Sequence, residues 1–270
     1  MDQGFEPRQV GDYTRKALFS FKQRNVCDSF QERCSLVFSL SVEGRIIKRG
    51  AKTKESPPQI IGSLIFRVHC RWESKKLEIS NHSRLKKRLV GVCQRSGAQG
   101  WCPGTLGNIS VFDPEVGRVY IKRSGADLNG LRLEDVLTLD IGGNILEGEG
   151  QPSIEANFHL GIYAARNDVR AVFHVHPPFA TAYAVKGTKI PMVTEAAKIL
   201  LIDVPLLSYA AAGSDELAEK VTENFKDTKV KAVLMREHGV VSIGVTLEDA
   251  YHTTALVEDT AKVAFLSALL

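Results

Sequence analysis

Two hydrophobic periods alternate along the chain from about residue 74. Within Lys75–Arg95, apolar residues at Leu77, Leu85, Leu89, Val90 and Val92 have a loose helical spacing. Cys102-Pro103-Gly104-Thr105-Leu106-Gly107-Asn108 is a Gly-rich turn leading into a strand at Ile109–Phe112. Asp113–Gly117 is a hairpin turn, and Arg118–Lys122 returns. Leu137–Ile141 predicts a strand stopped by Gly142-Gly143-Asn144. Ser153–Arg166 predicts a helix, with Pro152 at its start and Ile154, Phe158, Ile162 and Ala165 as its stripe. Val169–His176 is a short apolar strand ended by Pro177-Pro178, which cannot continue a ladder. Beyond it, Phe179–Ala184 is helical, Ile199–Ser208 contains a strand, and Asp215–Phe225 is a helix. Ala232–Met235 and Val240–Ile243 are strands, and Leu247–Leu269 is a long terminal helix. Alternating strands and helices predict a layered α/β domain with a mixed sheet.

The first 74 residues lack this legibility. Cys34–Val42 and Ile60–Val68 have strand character, but polar loops and Pro57-Pro58 interrupt them. The chain therefore divides into an extension, 1–74, and a domain, 75–270, a division that a length of 270 residues accommodates. Charge follows the same division. Residues 1–76 hold 15 Lys/Arg and 8 Asp/Glu, a net of +7; the remainder holds 20 and 23, a net of −3. The basic groups of the extension, such as Lys48-Arg49 and Lys52 with Lys54, are scattered and carry no interleaved aromatics. They fit a solvated extension better than a nucleic-acid surface, and the acidic remainder argues the same way.

No apolar run reaches the roughly 18–20 residues that span a bilayer, and the first 16 residues lack the apolar stretch of a secretory signal. Cys27, Cys34, Cys70, Cys93 and Cys102 are odd in number, dispersed and without a C-x-x-C pair. They read as reduced thiols of a cytoplasmic protein, not as a disulfide framework or cysteine metal site.

His174-Val175-His176, at the end of a buried strand, carries the sharpest chemistry. Residues i and i+2 of a strand project from one face, so both imidazoles reach a single ion. His238, in Met235-Arg236-Glu237-His238-Gly239, again lies where an apolar strand ends, and Gly239 behind it permits close backbone approach. Three histidines at sheet termini, with one coordination position open, make the pattern of a catalytic zinc or similar divalent ion. Glu155 stands in the first turn of the preceding helix, where its carboxylate either moves a proton beside that cation or complements the helix dipole. His159 and His252, on helix faces, read as satisfied structural histidines; His69 and His82 read as surface residues.

These residues belong to a longer ordered set. Gly107-Asn108-Ile109-Ser110, Ser124-Gly125, and Pro152-Ser153-Ile154-Glu155 with His159, Ile162-Tyr163 and Arg166-x-Asp168-Val169 resemble the class II aldolase/adducin family. Ala171-Val172-Phe173-His174-Val175-His176-Pro177, Tyr209 to Gly213-Ser214 before Glu216-Leu217, and His238-Gly239 continue the resemblance in order. It covers roughly residues 80–270. It implies a three-layer α/β/α fold with a mixed central sheet, a homotetramer with sites near subunit interfaces, and a zinc-type ion held by His174, His176 and His238. The aldolases of L-fuculose 1-phosphate are the members most similar in character. That likeness implies a metal-dependent aldehyde-lyase that cleaves a phosphosugar, a ketose 1-phosphate, to dihydroxyacetone phosphate and an aldehyde. In such chemistry the cation takes up charge that develops on oxygen.

By the same resemblance Glu155 is the acid/base at the donor carbon, and Tyr209 of a neighbouring subunit protonates the aldehyde oxygen. Asn108, Ser124, Gly125 and Ser153 hold the phosphate, a task suited to short hydroxyl, amide and backbone donors. The sequence departs from the pattern at Ile154 and Leu106, where the family's aldolases usually have Ser. Lys122-Arg123, more basic than the family usually is there, either supply charge to the pocket or point to solvent. Other members of the family are decarboxylases, dehydratases and pentulose-phosphate epimerases, the last tending to place Asp where Glu155 stands. Adducin-like members are non-catalytic scaffolds that lack the complete ligand set. Ile154 keeps the decarboxylase alternative open.

Overall fold

A computed structural model describes residues 81–270. The expected extension 1–74, His69 and the first residues of the helix expected from Lys75 lie outside the described residues.

Helix α1 covers 81–98. A hairpin of β1 (Asn108–Asp113) and β2 (Arg118–Lys122) follows, then β3 (Val136–Asp140) and a short β4 (Ile145–Glu147). Helix α2 (Ala156–Ala165) leads into β5 (Ala171–Val175), and α3 (Pro178–Lys186) and α4 (Glu195–Leu200) precede β6 (Leu206–Leu207). The chain closes with α5 (Asp215–Phe225), β7 (Ala232–Met235), β8 (Gly239–Gly244) and α6 (Leu247–Ser267). Eight strands form one sheet in the order β4-β3-β2-β1-β5-β8-β7-β6, antiparallel except for β6 with β7.

Strand alternation separates two cores. Val119, Ile121, Leu137, Leu139, Val172, Val233 and Val241 face α2 and α5, meeting Phe158, Ile162, Leu217, Val221 and Phe225. On the opposite face Ile109, Val111, Ala171 and Phe173 meet α1 and the start of α6, while Ala232, Leu234 and Val240 meet α3, α4 and the later turns of α6. Helices on both faces of a mixed sheet are the three-layer α/β/α arrangement expected from the sequence. Each large apolar side chain buried there contributes about 1.5–3 kcal/mol.

Ser214 and Thr246 cap α5 and α6, each accepting a backbone N–H at 3.1 Å. Two expectations need adjusting. Much of Ile199–Ser208 is helix end and turn, with only Leu206–Leu207 as strand, and α2 starts at Ala156 instead of Ser153. Among the described residues no helix is long and apolar enough to cross a membrane.

Candidate metal centre

β1 begins, β5 ends and β8 begins at one end of the sheet centre, because β5 lies antiparallel to both neighbours. In register, Asn108 stands opposite His174, and Val241 of β8 stands on the other side of His174. His176 follows β5 directly, and His238 sits in the tight turn from β7 to β8. The three imidazoles each present a nitrogen within 4.8 Å of the others, with His174 Nε2 and His176 Nε2 3.0 Å apart. Two glycines permit this crowding. A Cβ on Gly239 would overlap the His176 ring and lie 2.7 Å from the Val175 carbonyl. One on Gly107, where φ is +71°, would overlap Cys102 Sγ and lie 2.9 Å from the His174 carbonyl.

Glu155 closes the fourth side. It is the residue immediately before α2 but makes no side-chain bond to the helix start; its carboxylate turns instead toward the imidazoles and Asn108. Its Oε2 lies 3.1 Å from His174 Nε2 and accepts from Asn108 Nδ2 at 3.0 Å. Its Oε1 is buried with no hydrogen-bond partner, 3.3 Å from His238 Nε2. Burial opposes the carboxylate, but the His174 and His238 imidazoles and the Asn108 amide outweigh it and hold its pKa well below the usual carboxylate range. Burial and neighbouring imidazoles depress His176 to about 3 and His238 to about 4, which leaves both rings neutral and able to donate a lone pair. His174 Nδ1–H donates to the Val240 carbonyl at 3.1 Å, the tautomer that turns the Nε2 lone pair toward the other two rings. Converging imidazole nitrogens beside an unpartnered buried carboxylate oxygen fit a divalent cation.

The residues expected to hold phosphate lie around the same end. Asn108 Nδ2 donates to Ser153 Oγ at 3.0 Å, and a bridge between Arg123 and Pro152 brings the turn after β2 against the segment before α2. Ser124 and Gly125 are exposed in that turn. Ile154 (69% exposed) and Leu106 (49%) carry apolar groups at its rim. Tyr209 is 58% exposed and touches none of these residues through a side-chain hydrogen bond; its carbonyl accepts from Lys220 Nζ.

The solvent-facing alternative for Lys122-Arg123 does not hold. Lys122 is buried, with Nζ donating to the carbonyls of Thr105 and Ala126 at 2.8 and 2.7 Å, and burial lowers its pKa. Arg123 pairs with Asp135 at 2.8 Å. His82 is also partly buried, against Tyr120 and Glu147, whereas His252 is exposed. Sequence reasoning did not connect Asn108 to Glu155, nor His159 to either. The available signal was a polar Asn108 and Ser110 on one face of β1, opposite Glu155, His159 and Tyr163 at helical spacing.

Comparison with known proteins agrees with this geometry. Residues 87–265 match the family model described as Class II Aldolase and Adducin N-terminal domain. An L-fuculose phosphate aldolase of Methanocaldococcus jannaschii is 32% identical over 184 residues, spanning 68% of this chain and 97% of that protein. A 5-deoxy-D-ribulose 1-phosphate aldolase of Bacillus thuringiensis is 31% identical over 180 residues, 67% of this chain and 84% of its own length. Among solved structures, an L-fuculose-1-phosphate aldolase from Thermus thermophilus superposes with a TM-score of 0.62 at 27% identity, covering 69% of this chain and 95% of that one.

Proposed function

The chain belongs to the class II aldolase/adducin family, an aldolase lyase by its relatives, and from that premise we propose that it cleaves a ketose 1-phosphate resembling L-fuculose 1-phosphate. The products are dihydroxyacetone phosphate and an aldehyde. One observation carries this reading: three imidazoles converge on a buried carboxylate that keeps one oxygen unpartnered. The relatives named above are aldolases of L-fuculose phosphate and of 5-deoxy-D-ribulose 1-phosphate, which supports a phosphorylated ketose as the substrate class.

His174, His176 and His238 hold the cation, zinc being an ion that three imidazole ligands suit well. When bound, it polarises the donor carbonyl and takes up the charge that develops on that oxygen. Cleavage leaves the electron pair of the broken carbon–carbon bond on the donor carbon; Glu155 Oε1, a carboxylate at rest, first takes up a proton, matched by the one that leaves the acceptor-side hydroxyl, and then passes it to that carbon. In the reverse direction the same oxygen removes it. Ionised at neutral pH, Glu155 is in the correct state for that removal. One proton leaves the acceptor-side hydroxyl as one arrives at the donor carbon, so no oxidant or second substrate is needed.

Asn108, Ser124, Gly125 and Ser153 bind the phosphate. Lys122 adds positive charge behind the turns next to Asn108 and Ser124-Gly125, since its ammonium is bonded to both. Tyr209, exposed on its own chain, serves the aldehyde oxygen of a neighbouring subunit in a cytoplasmic homotetramer. Ile154, exposed where the family's aldolases usually carry a Ser donor, removes a hydroxyl from the phosphate pocket, and decarboxylation of a carboxylate substrate is the second reading.

The test follows release of dihydroxyacetone phosphate from L-fuculose 1-phosphate and related ketose 1-phosphates, with and without chelator. Release that the chelator abolishes, and that Glu155→Gln lowers by roughly 10²–10⁴-fold, is the expected result. No release from metal-loaded protein overturns the assignment and brings decarboxylation forward.

A further inference from the structure

Asn108, beside Glu155, heads a continuous line of buried polar side chains whose other three members, His159, Ser110 and Tyr163, have no part in the chemistry above. Asn108 Oδ1 meets His159 Nε2, His159 Nδ1 lies 2.7 Å from Ser110 Oγ, and Ser110 Oγ lies 2.7 Å from the Tyr163 hydroxyl. All four are 3% exposed or less. We propose that His159 is a positioning residue: by holding the Asn108 amide in one orientation it engages Oε2 of Glu155 and leaves Oε1 as the oxygen that carries the proton. The inference rests on Glu155 being the acid/base, as read above.

Each proton in the line follows from the one before. A carboxylate only accepts, so the Asn108 group 3.0 Å from Oε2 is the NH2, which also donates to Ser153. The amide oxygen then faces His159, whose Nε2 must carry its hydrogen. A neutral ring so protonated has its lone pair at Nδ1, which takes the Ser110 hydroxyl proton, and Ser110 in turn accepts from Tyr163. Running the line backwards would aim the Asn108 carbonyl at the Glu155 carboxylate, two acceptors facing each other. Burial keeps the His159 ring neutral, with a pKa of about 3, as this arrangement requires.

An apolar residue at 159 removes the one donor to Asn108 Oδ1 among the described residues and leaves a buried acceptor unsatisfied. The amide is then free to turn, and Oε2 loses the donor that distinguishes it from Oε1. His159 touches neither the three imidazole ligands by hydrogen bond nor the rim of the site. Its loss is therefore expected to alter the chemical step and to spare metal binding, while substrate binding weakens only as far as the Asn108 donor is lost to the phosphate.

Two variants of the full-length, metal-loaded protein separate this from a packing role. His159→Leu removes the donor, and His159→Gln keeps an N–H donor near the same place. The expected result for His159→Leu is a kcat lower by roughly 10–100-fold, a loss larger than any rise in KM from the released Asn108 donor, and one metal ion per subunit retained. His159→Gln recovers most of the loss. A second readout needs no turnover: with ¹⁵N-labelled asparagine, the Asn108 side-chain amide, identified by its loss in Asn108→Asp, exchanges slowly in the native protein. That slow pair disappears in His159→Leu and persists in His159→Gln. Ser110→Ala, which shortens the line without emptying position 159, accelerates the same exchange and serves if His159→Leu does not fold.

A slow amide and native kcat in His159→Leu would overturn the proposal, as would equal loss in the Leu and Gln variants. If the native protein releases no dihydroxyacetone phosphate, the reaction assigned above fails. The amide readout then still decides the positioning line, because it depends on no substrate.

Discussion

Gly239 sits directly after a candidate ligand, and the space a side chain would need there is filled by the His176 ring and the Val175 carbonyl. The ring can shift, but the carbonyl belongs to the β5 ladder and cannot. Gly239→Ala is therefore expected to destabilise the fold by about 1–3 kcal/mol and to lower the metal content, measured by urea unfolding and by metal analysis after gel filtration. His159 supplies a pH prediction at the same scale. Burial lowers its pKa from 6.5 to about 3, so in this range the unfolded chain binds a proton that the folded chain does not. That contribution to stability is complete above pH 6.5 and is lost as pH falls toward 3, at up to about 1.4 kcal/mol per pH unit. In chelator, His159→Gln should flatten the decline in unfolding free energy between pH 6 and 4 by about one proton, relative to the native chain; an unchanged slope would refute it. The pair His174 and His176 was legible because a strand's period of two is fixed. Lys122 and His159 were not, because their partners are backbone carbonyls of turns, 4 and 17 residues away, and side chains about 50 residues away in sequence.

Elements with a strong period emerge where the sequence puts them. Asp215–Phe225 and Ala232–Met235 have the expected bounds, each set by a polar cap or a tight turn against an apolar run. The segment before α2 behaves differently. Pro152 and Ser153 suggest a helix start, yet Pro152 pairs with Arg123, Ser153 accepts from Asn108, and the helix begins three residues later than Ser153. Tertiary bonds at the metal centre thus override a local signal. The start of α3 is likewise set from a distance. It follows His176 and Pro177, and the Glu258 carboxylate on α6 accepts from the backbone N–H of Phe179 and Ala180 at 3.0 and 2.8 Å. Nothing in the local sequence announces a cap lying 79 residues away. Glu258→Ala is expected to cost about 1–2 kcal/mol. In hydrogen exchange it should accelerate the amides of Pro178–Lys186 and leave those of Ala156–Ala165 unchanged; equal acceleration of both helices would mean a general loosening instead.

At the scale of the whole molecule, one chain supplies the three imidazoles, Glu155 and the loops around Asn108 and Ser153, but Tyr209 stands 58% exposed. This asymmetry sets up a test between subunits. Glu155→Gln and Tyr209→Phe should each lower turnover strongly when made alone. If Tyr209 serves a neighbour's site, a mixed assembly contains sites with Glu155 from one variant and Tyr209 from the other. In a closed ring with random mixing at equal amounts, about one site in four is intact in this way. Co-expressed and co-purified variants should thus recover about a quarter of native turnover, although neither parent approaches it. If Tyr209 acts within its own chain, every subunit of the mixture carries one lesion in its own site and nothing is recovered. The outcome does not depend on which ketose 1-phosphate is turned over, so it separates the architecture of the site from the identity of its substrate.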